Sequence, residues 1–138
     1  MHVRPRLLPA LAALLCLAGC GPPKAVTPGH YTLNPTASCL KKSGLEVAVN
    51  PSNLDFISRT APQGALRSSR DGKAFVIAFG NTEADSNLLV SGYRRSASNK
   101  LERRRLKSLL DLEGNAVVYW QEEPTVSQAT AVRSCLEG

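Results

Sequence analysis

Two stretches of the chain decide the fold: Asp71-Gly72-Lys73-Ala74-Phe75-Val76 and Glu113-Gly114-Asn115-Ala116-Val117-Val118. They align at an offset of 42 residues, and each places an acidic residue and a glycine before an apolar run. An acidic residue followed by glycine favours a tight hairpin turn. The alignment extends to Val90, which falls on Val132. From Gly64 onward the chain therefore predicts two successive units, each a hairpin followed by a helix.

Boundaries follow from this alignment. The first unit is predicted to have strands at 65–69 and 73–79 and a helix at 82–95; the second has strands at 106–112 and 116–121 and a helix at 124–136. Residues 100–112 leave an alternative, because four leucines also fit a partial helical stripe: Leu101, Leu106, Leu109 and Leu110. Analogy with 65–69 favours a strand for the second half of this segment.

The chain before these units predicts one helix and one strand. Asn34 suits an N-cap, Pro35 the first helical position and Gly44 a left-handed terminator, which predicts a helix over 35–43. The alternating segment 45–49 predicts a strand. Residues 52–62 are expected to form a loop or a single turn, with Phe56 and Ile57 reaching into the core.

Together these elements predict an α+β fold. We expect two layers, a mainly antiparallel sheet of about five strands with three helices on one face. Tyr119 and Trp120 would then point to opposite faces of the last strand, and the ring that points away from the helices is a candidate contact residue.

Composition fits a single domain, over residues 34–138. The chain has 138 residues, 43 % of them hydrophobic, and a net charge of +6. Its two histidines, His2 and His30, precede the domain, so the domain lacks the commonest general base and metal ligand. No nucleophile elbow, phosphate-binding loop or carboxylate pair with a suitable neighbour occurs. We therefore expect no enzyme activity and no cofactor. An enzyme is a third hypothesis, and it would require a deep pocket with a carboxylate such as Asp55 or Asp85 beside a hydroxyl.

The one feature of the domain's sequence that suggests a binding function is a cluster of basic residues. It lies within fourteen residues and consists of Arg94, Arg95, Lys100, Arg103, Arg104, Arg105 and Lys107, opposed only by Glu102. Such a cluster attracts anions. A solvated loop that only improves solubility is the alternative interpretation.

The N-terminus carries an export pattern. Arg4 and Arg6 precede an apolar run over 7–17 that is too short to span a bilayer stably. The segment Leu17-Ala18-Gly19-Cys20 resembles the lipobox of bacterial lipoproteins at four positions of four. An ordinary signal peptide with a chance cysteine is the alternative.

The resemblance implies cleavage between Gly19 and Cys20, diacylglycerol on the Cys20 thiol and acylation of the new amino group. It covers only the first 20 residues and is silent on the folded domain. Residues 20–33 would then form a lipidated linker rich in proline and glycine, which holds the domain off the membrane.

Two cysteines remain, because Cys16 leaves with the signal peptide and Cys20 carries lipid. Outside the cytoplasm, Cys39 and Cys135 are expected to form a structural disulfide that joins the start of the domain to its end. Neither lies in a C-x-x-C pair, so a redox or metal role is not favoured.

The sequence thus predicts a lipid-anchored, non-catalytic domain at the outer face of the cell membrane, or on an outer membrane if there is one. The basic cluster would bind an anionic lipid, a wall polymer or a protein partner. Nucleic acid is not expected, because an exported protein rarely meets it. A purely structural or assembly-accessory lipoprotein is the alternative.

Overall fold

The computed structural model describes residues 29–137. Along the chain its elements are α1 (Leu33–Lys42), β1 (Glu46–Val49), a 3-10 turn (Ser58–Thr60), β2 (Ala65–Arg70), β3 (Lys73–Phe79), α2 (Glu83–Ser96), α3 (Lys100–Leu109), β4 (Leu110–Glu113), β5 (Ala116–Trp120) and α4 (Val126–Glu137). The strands form one sheet in the order β1-β2-β3-β5-β4, and every neighbouring pair is antiparallel. The predicted α+β class with a five-stranded antiparallel sheet is confirmed.

The turns of both hairpins lie where the sequence predicted them, between β2 and β3 and between β4 and β5. Asp71 and Gly72 connect β2 to β3 with φ values of 53° and 77°, the positive φ at both turn positions that a type I′ turn requires. Thr82 begins α2 through a capping box, in which its hydroxyl accepts a bond from the Asp85 N–H and the Asp85 carboxylate accepts one from the Thr82 N–H.

Helices cover both faces of the sheet, and this differs from the prediction. On one face, Phe75, Ile77 and Phe79 of β3 pack against α1 and α4; we call it the α1–α4 face. On the other, Val76 and Ala78 pack against α2; we call it the α2 face. The expectation of three helices on one face is therefore wrong, and residues 29–137 contain four helices.

Strand register explains why the helices separate. Val117 is the counterpart of Phe75 at the 42-residue offset, but it pairs with Ala78 and so points to the α2 face. Phe75 points to the α1–α4 face. Because side chains alternate along a strand, equivalent residues of the two units face opposite sides, and their helices follow them.

Three local predictions were wrong. Residues 106–109 belong to α3, and the strand begins only at Leu110, so the helical alternative holds for most of 100–112. Phe56 is 78 % exposed rather than buried, whereas Ile57 does pack against the core. The N-cap of α1 is Thr32, not Asn34, and its side chain makes no capping bond.

The disulfide is present as predicted. Cys39 on α1 and Cys135 on α4 are bonded, with their Cα atoms 5.6 Å apart and a sequence separation of 96. The two helices are neighbours on the α1–α4 face. The bridge thus closes the domain across the same core that the helices bury.

The described chain begins at the turn between β4 and β5. The Gly29 carbonyl accepts a 3.0 Å hydrogen bond from the Asn115 N–H. Gly114 approaches so closely that an added Cβ would lie 1.8 Å from the Gly29 oxygen. The point where the N-terminal segment joins the domain is therefore fixed at this end of the sheet.

Candidate functional site

All seven cations of the basic cluster are exposed, and they lie on two helices. Arg94 and Arg95 occupy the last turn of α2. The other five lie on α3, whose opposite side buries Leu106 and Leu109. The basic residues are exposed because α3 is amphipathic. Its two buried leucines, three residues apart, pack against the domain, and the other side of the helix faces solvent.

Four of these cations share one face of α3. Lys100, Arg103, Arg104 and Lys107 occupy positions i, i+3, i+4 and i+7, which lie side by side along a helix. We call them the basic stripe. Its neighbours at i,i+3 and i,i+4 carry like charges, which destabilises an isolated helix by roughly 0.2–0.5 kcal/mol a pair.

Within residues 29–137, no acidic side chain forms an ion pair with a residue of the basic stripe. The two ion pairs of this part of the chain are Arg70–Asp71 and Arg133–Glu137. Glu102 is the one acid of α3, and its carboxylate accepts 2.7 Å bonds from the Ser98 hydroxyl and the Ser98 N–H. These bonds lower the pKa of Glu102 below its ordinary value of 4.5. Glu102 therefore caps the helix and leaves the arginines without a counterion.

Arg105 and Arg95 lie apart from the stripe. Arg105 lines a small cleft with Tyr119 and Gln121 on the other flank of α3. Burial raises the pKa of Tyr119, and the Arg105 charge acts in the opposite direction. Arg95 lines a separate groove beside α2. Four of the seven predicted residues thus share one helix face, two line separate clefts, and the seventh, Arg94, is exposed in the last turn of α2.

The last strand offers no free face for contact. β5 lies between β3 and β4, and four of its five residues are buried. Tyr119 and Trp120 do point to opposite faces, but Trp120 packs on Phe75 at a ring-centroid distance of 4.7 Å and Tyr119 packs on Tyr93 at the same distance. Neither ring points away from the helices, which is what the prediction required, and of the two only Tyr119 is partly exposed, at the cleft beside Arg105.

A cluster of hydroxyls around a carboxylate is the feature that sequence reasoning did not assemble. The Tyr93 hydroxyl lies 2.6 Å from Ser58 Oγ and donates a 2.9 Å bond to Asp55 Oδ2, while Ser58 Oγ donates to the same oxygen at 2.7 Å. Ser58 is 1 % exposed and Tyr93 4 %. Burial is the largest of the effects that raise the pKa of Tyr93.

This arrangement is suited to holding the fold. A nucleophilic serine needs access to substrate as well as a base, and Ser58 is closed off from the surface. The cluster joins the 3-10 turn to α2, so we interpret it as a structural clasp. The spacing Asp55-x-x-Ser58 is a local capping pattern, so the sequence could have predicted the contact between these two residues. Nothing in the sequence predicts that Tyr93 joins them.

The stripe lies at the far end of the sheet from the point where the N-terminal segment joins. β4 starts at Leu110, directly after α3, and runs toward the turn that holds Gly29. α2 starts near that turn, since the Gly80 N–H bonds the Asn115 carbonyl, and runs away from it for 14 residues. Both connections of α3 are therefore at the opposite end.

Across residues 29–137, no group of three His, Cys, Asp or Glu side chains is placed to hold a metal ion. Within the same range no helix has the length and apolarity needed to cross a bilayer. The predicted lipidation residue, Cys20, lies outside the described residues. No family model, curated protein or solved structure matches the chain.

Proposed function

We propose that the protein is an exported lipoprotein, anchored through Cys20, whose domain binds an anionic component of the cell envelope through the basic stripe. The domain itself is non-catalytic in this proposal. An acidic protein partner is the alternative occupant of the same surface.

The uncompensated charge of the stripe carries the proposal. Four cations stand side by side on one helix, and the only acid of that helix is committed to Ser98. Like-charge neighbours oppose helix formation, and a bound polyanion would remove that repulsion. A merely solvated surface gains nothing from concentrating like charges in this way.

The position of the basic stripe on the domain limits which anionic ligands it can reach. The stripe and the attachment point at Gly29 lie at opposite ends of the sheet. When the Gly29 end of the domain faces the anchoring bilayer, α3 therefore faces away from it. A wall polymer with repeated phosphates, or an anionic surface that faces the anchor, fits this placement better than lipid headgroups beside Cys20. Basic residues near an anionic surface contribute about 1 kcal/mol each.

The second candidate function is a purely structural or assembly-accessory role. The covalent closure of the domain by Cys39–Cys135 and the helices on both faces favour a rigid spacer. Under this alternative the basic stripe has no ligand.

Charge neutralisation separates the two functions. The chain from Gly21 onward keeps every residue of both core clusters, and in it Arg103→Gln/Arg104→Gln removes two charges of the stripe. Lys41→Gln/Lys42→Gln is the matched control, because it removes two exposed charges from the end of α1. Retention on anionic vesicles and on isolated wall fractions is the readout.

We expect retention to fall about tenfold or more in the stripe variant, to change little in the control and to weaken with added salt. Equal retention of the two variants would remove the binding function and leave the structural role. The anchor is tested separately, since the intact mass of the native protein should show a diacylglyceryl adduct on Cys20 that Cys20→Ser lacks.

A further inference from the structure

An apolar groove of about 410 Å³ runs between α2 and the segment around the 3-10 turn. It is independent of the basic stripe, and the inference below does not rest on the proposed function. Phe56 and Leu88 line it and are 78 % and 65 % exposed. No other exposed large hydrophobic side chains of residues 29–137 line this groove, so these two form its accessible apolar surface.

Along α2 the groove is lined by residues in a symmetric order. Asp85, Leu88, Gly92 and Arg95 follow one another at spacings of three, four and three residues, and all four line the groove. This is the a-d-a-d seam of a heptad. When two such helices pack antiparallel around a two-fold axis, each a position meets a d position of its partner.

The pairs produced by this symmetry are complementary. Asp85 of one copy would meet Arg95 of the other, and Leu88 would meet the apolar surface at Gly92, where Ile57 lies. Opposite charges at both ends and apolar side chains in the centre are self-complementary, as an isologous interface requires. A seam with charges of a single sign would repel its own copy.

The side chains are available for these contacts. Asp85 uses Oδ2 for the N–H groups of Asn81 and Thr82, at 2.9 and 3.1 Å, and its second oxygen makes no hydrogen bond within residues 29–137. Arg95 forms no ion pair in the same part of the chain. Both charges can therefore be paired by another copy without breaking a bond of the monomer.

The close packing of Ile57 against α2 explains why the chain has glycine at position 92. Glycine inside a helix costs about 1 kcal/mol relative to alanine. Here a Cβ would lie 3.2 Å from Ile57 Cδ1 and 3.3 Å from Ile57 Cγ2, so Ile57 of the same chain fills the space beside Gly92. Leu88 of a second copy would therefore pack on Ile57, which lines the groove at this position.

We propose that a second copy of this chain occupies the groove and forms a two-fold dimer through antiparallel α2 helices. Phe56 lies beside the seam and covers the incoming leucine. Arg95, which the sequence placed among anion-binding residues, belongs to this interface.

Sedimentation of the chain from Gly21 onward tests the dimer. We expect a concentration-dependent dimer between about 1 and 300 µM, a range that corresponds to a weak interface. Leu88→Glu and Arg95→Glu should each raise the dissociation constant about tenfold or more. Leu101→Glu is the matched control, since Leu101 is an exposed leucine, 77 % accessible, on another helix.

Each variant is first checked for an unchanged thermal unfolding midpoint below about 1 µM, where the chain is expected to be monomeric, because dimerisation itself raises the midpoint. A monomer at all these concentrations, a dimer that survives either α2 substitution, or a dimer that Leu101→Glu also disrupts would overturn the proposal. In intact cells, a photocrosslinker at position 88 should join two copies of the full chain, with crosslinked peptides from the segments around Phe56 and Gly92. Absence of that product, or an equal yield from position 101, contradicts the arrangement.

Discussion

The side-chain amide of Asn115 holds both backbone polar groups of Tyr31. Its oxygen accepts a 2.5 Å bond from the Tyr31 N–H, and its nitrogen donates a 2.9 Å bond to the Tyr31 carbonyl. The same nitrogen donates to the Gly80 carbonyl at 2.7 Å. One buried side chain thus joins the incoming chain, the end of β3 and the β4–β5 turn.

Asn115→Ala should therefore lower the free energy of unfolding substantially. Each buried group left without a partner costs about 1–3 kcal/mol, and the substitution releases three bonds. Urea unfolding measures the change. Asn87→Ala is the control, because Asn87 is exposed and its side chain, within residues 29–137, bonds only the Glu83 carbonyl of its own helix. Equal effects of the two substitutions would show that the hydrogen bonds of the Asn115 side chain do not stabilise the domain.

Tyr93→Phe should weaken the attachment of the 3-10 turn to α2. The change removes the hydroxyl that contacts Ser58 and Asp55, and we expect a loss of about 1–3 kcal/mol in thermal or urea unfolding. Tyr31→Phe is the matched control, since the Tyr31 hydroxyl makes no hydrogen bond among the described residues. A neutral Tyr93→Phe variant contradicts the structural role assigned to this cluster.

Loss of the disulfide should reduce stability by roughly 2–5 kcal/mol, because the bridge closes a long loop and constrains the unfolded chain. Cys39→Ala/Cys135→Ala and reduction of the natural protein are expected to lower the urea midpoint to a similar extent. Reductant should have no effect on the double variant. An unchanged midpoint after complete reduction would be incompatible with this prediction.

Acid should loosen the start of α3. The pKa of Glu102 is lowered in the folded protein by the hydrogen bonds from Ser98. The ionised carboxylate therefore stabilises the fold fully when the pH is above 4.5, the ordinary pKa of this group. That contribution is lost as the pH falls through the lowered pKa. The Ser98 amide resonance should report a midpoint below 4.5 that disappears in Glu102→Gln. A midpoint at or above 4.5 contradicts the assignment.

The candidate site was only partly predictable. The sequence identified every residue of the basic stripe, because a run of cations is visible without a fold. It did not separate Lys100, Arg103, Arg104 and Lys107 from Arg105, since that division exists only once 100–109 is helical. The 42-residue alignment favoured a strand there, whereas the leucine spacing gave the correct structure.

Local chemistry in the sequence determined the hairpin at Asp71-Gly72, the cap of α2 at Thr82 and the left-handed Gly44 after α1, because each depends on a few neighbouring residues. The pairing of Cys39 with Cys135 also followed from counting. Tertiary structure alone decided which face each helix covers. A register in which Val117 pairs with Ala78 sends equivalent residues of the two units to opposite sides, and only the packing of the whole sheet sets that register.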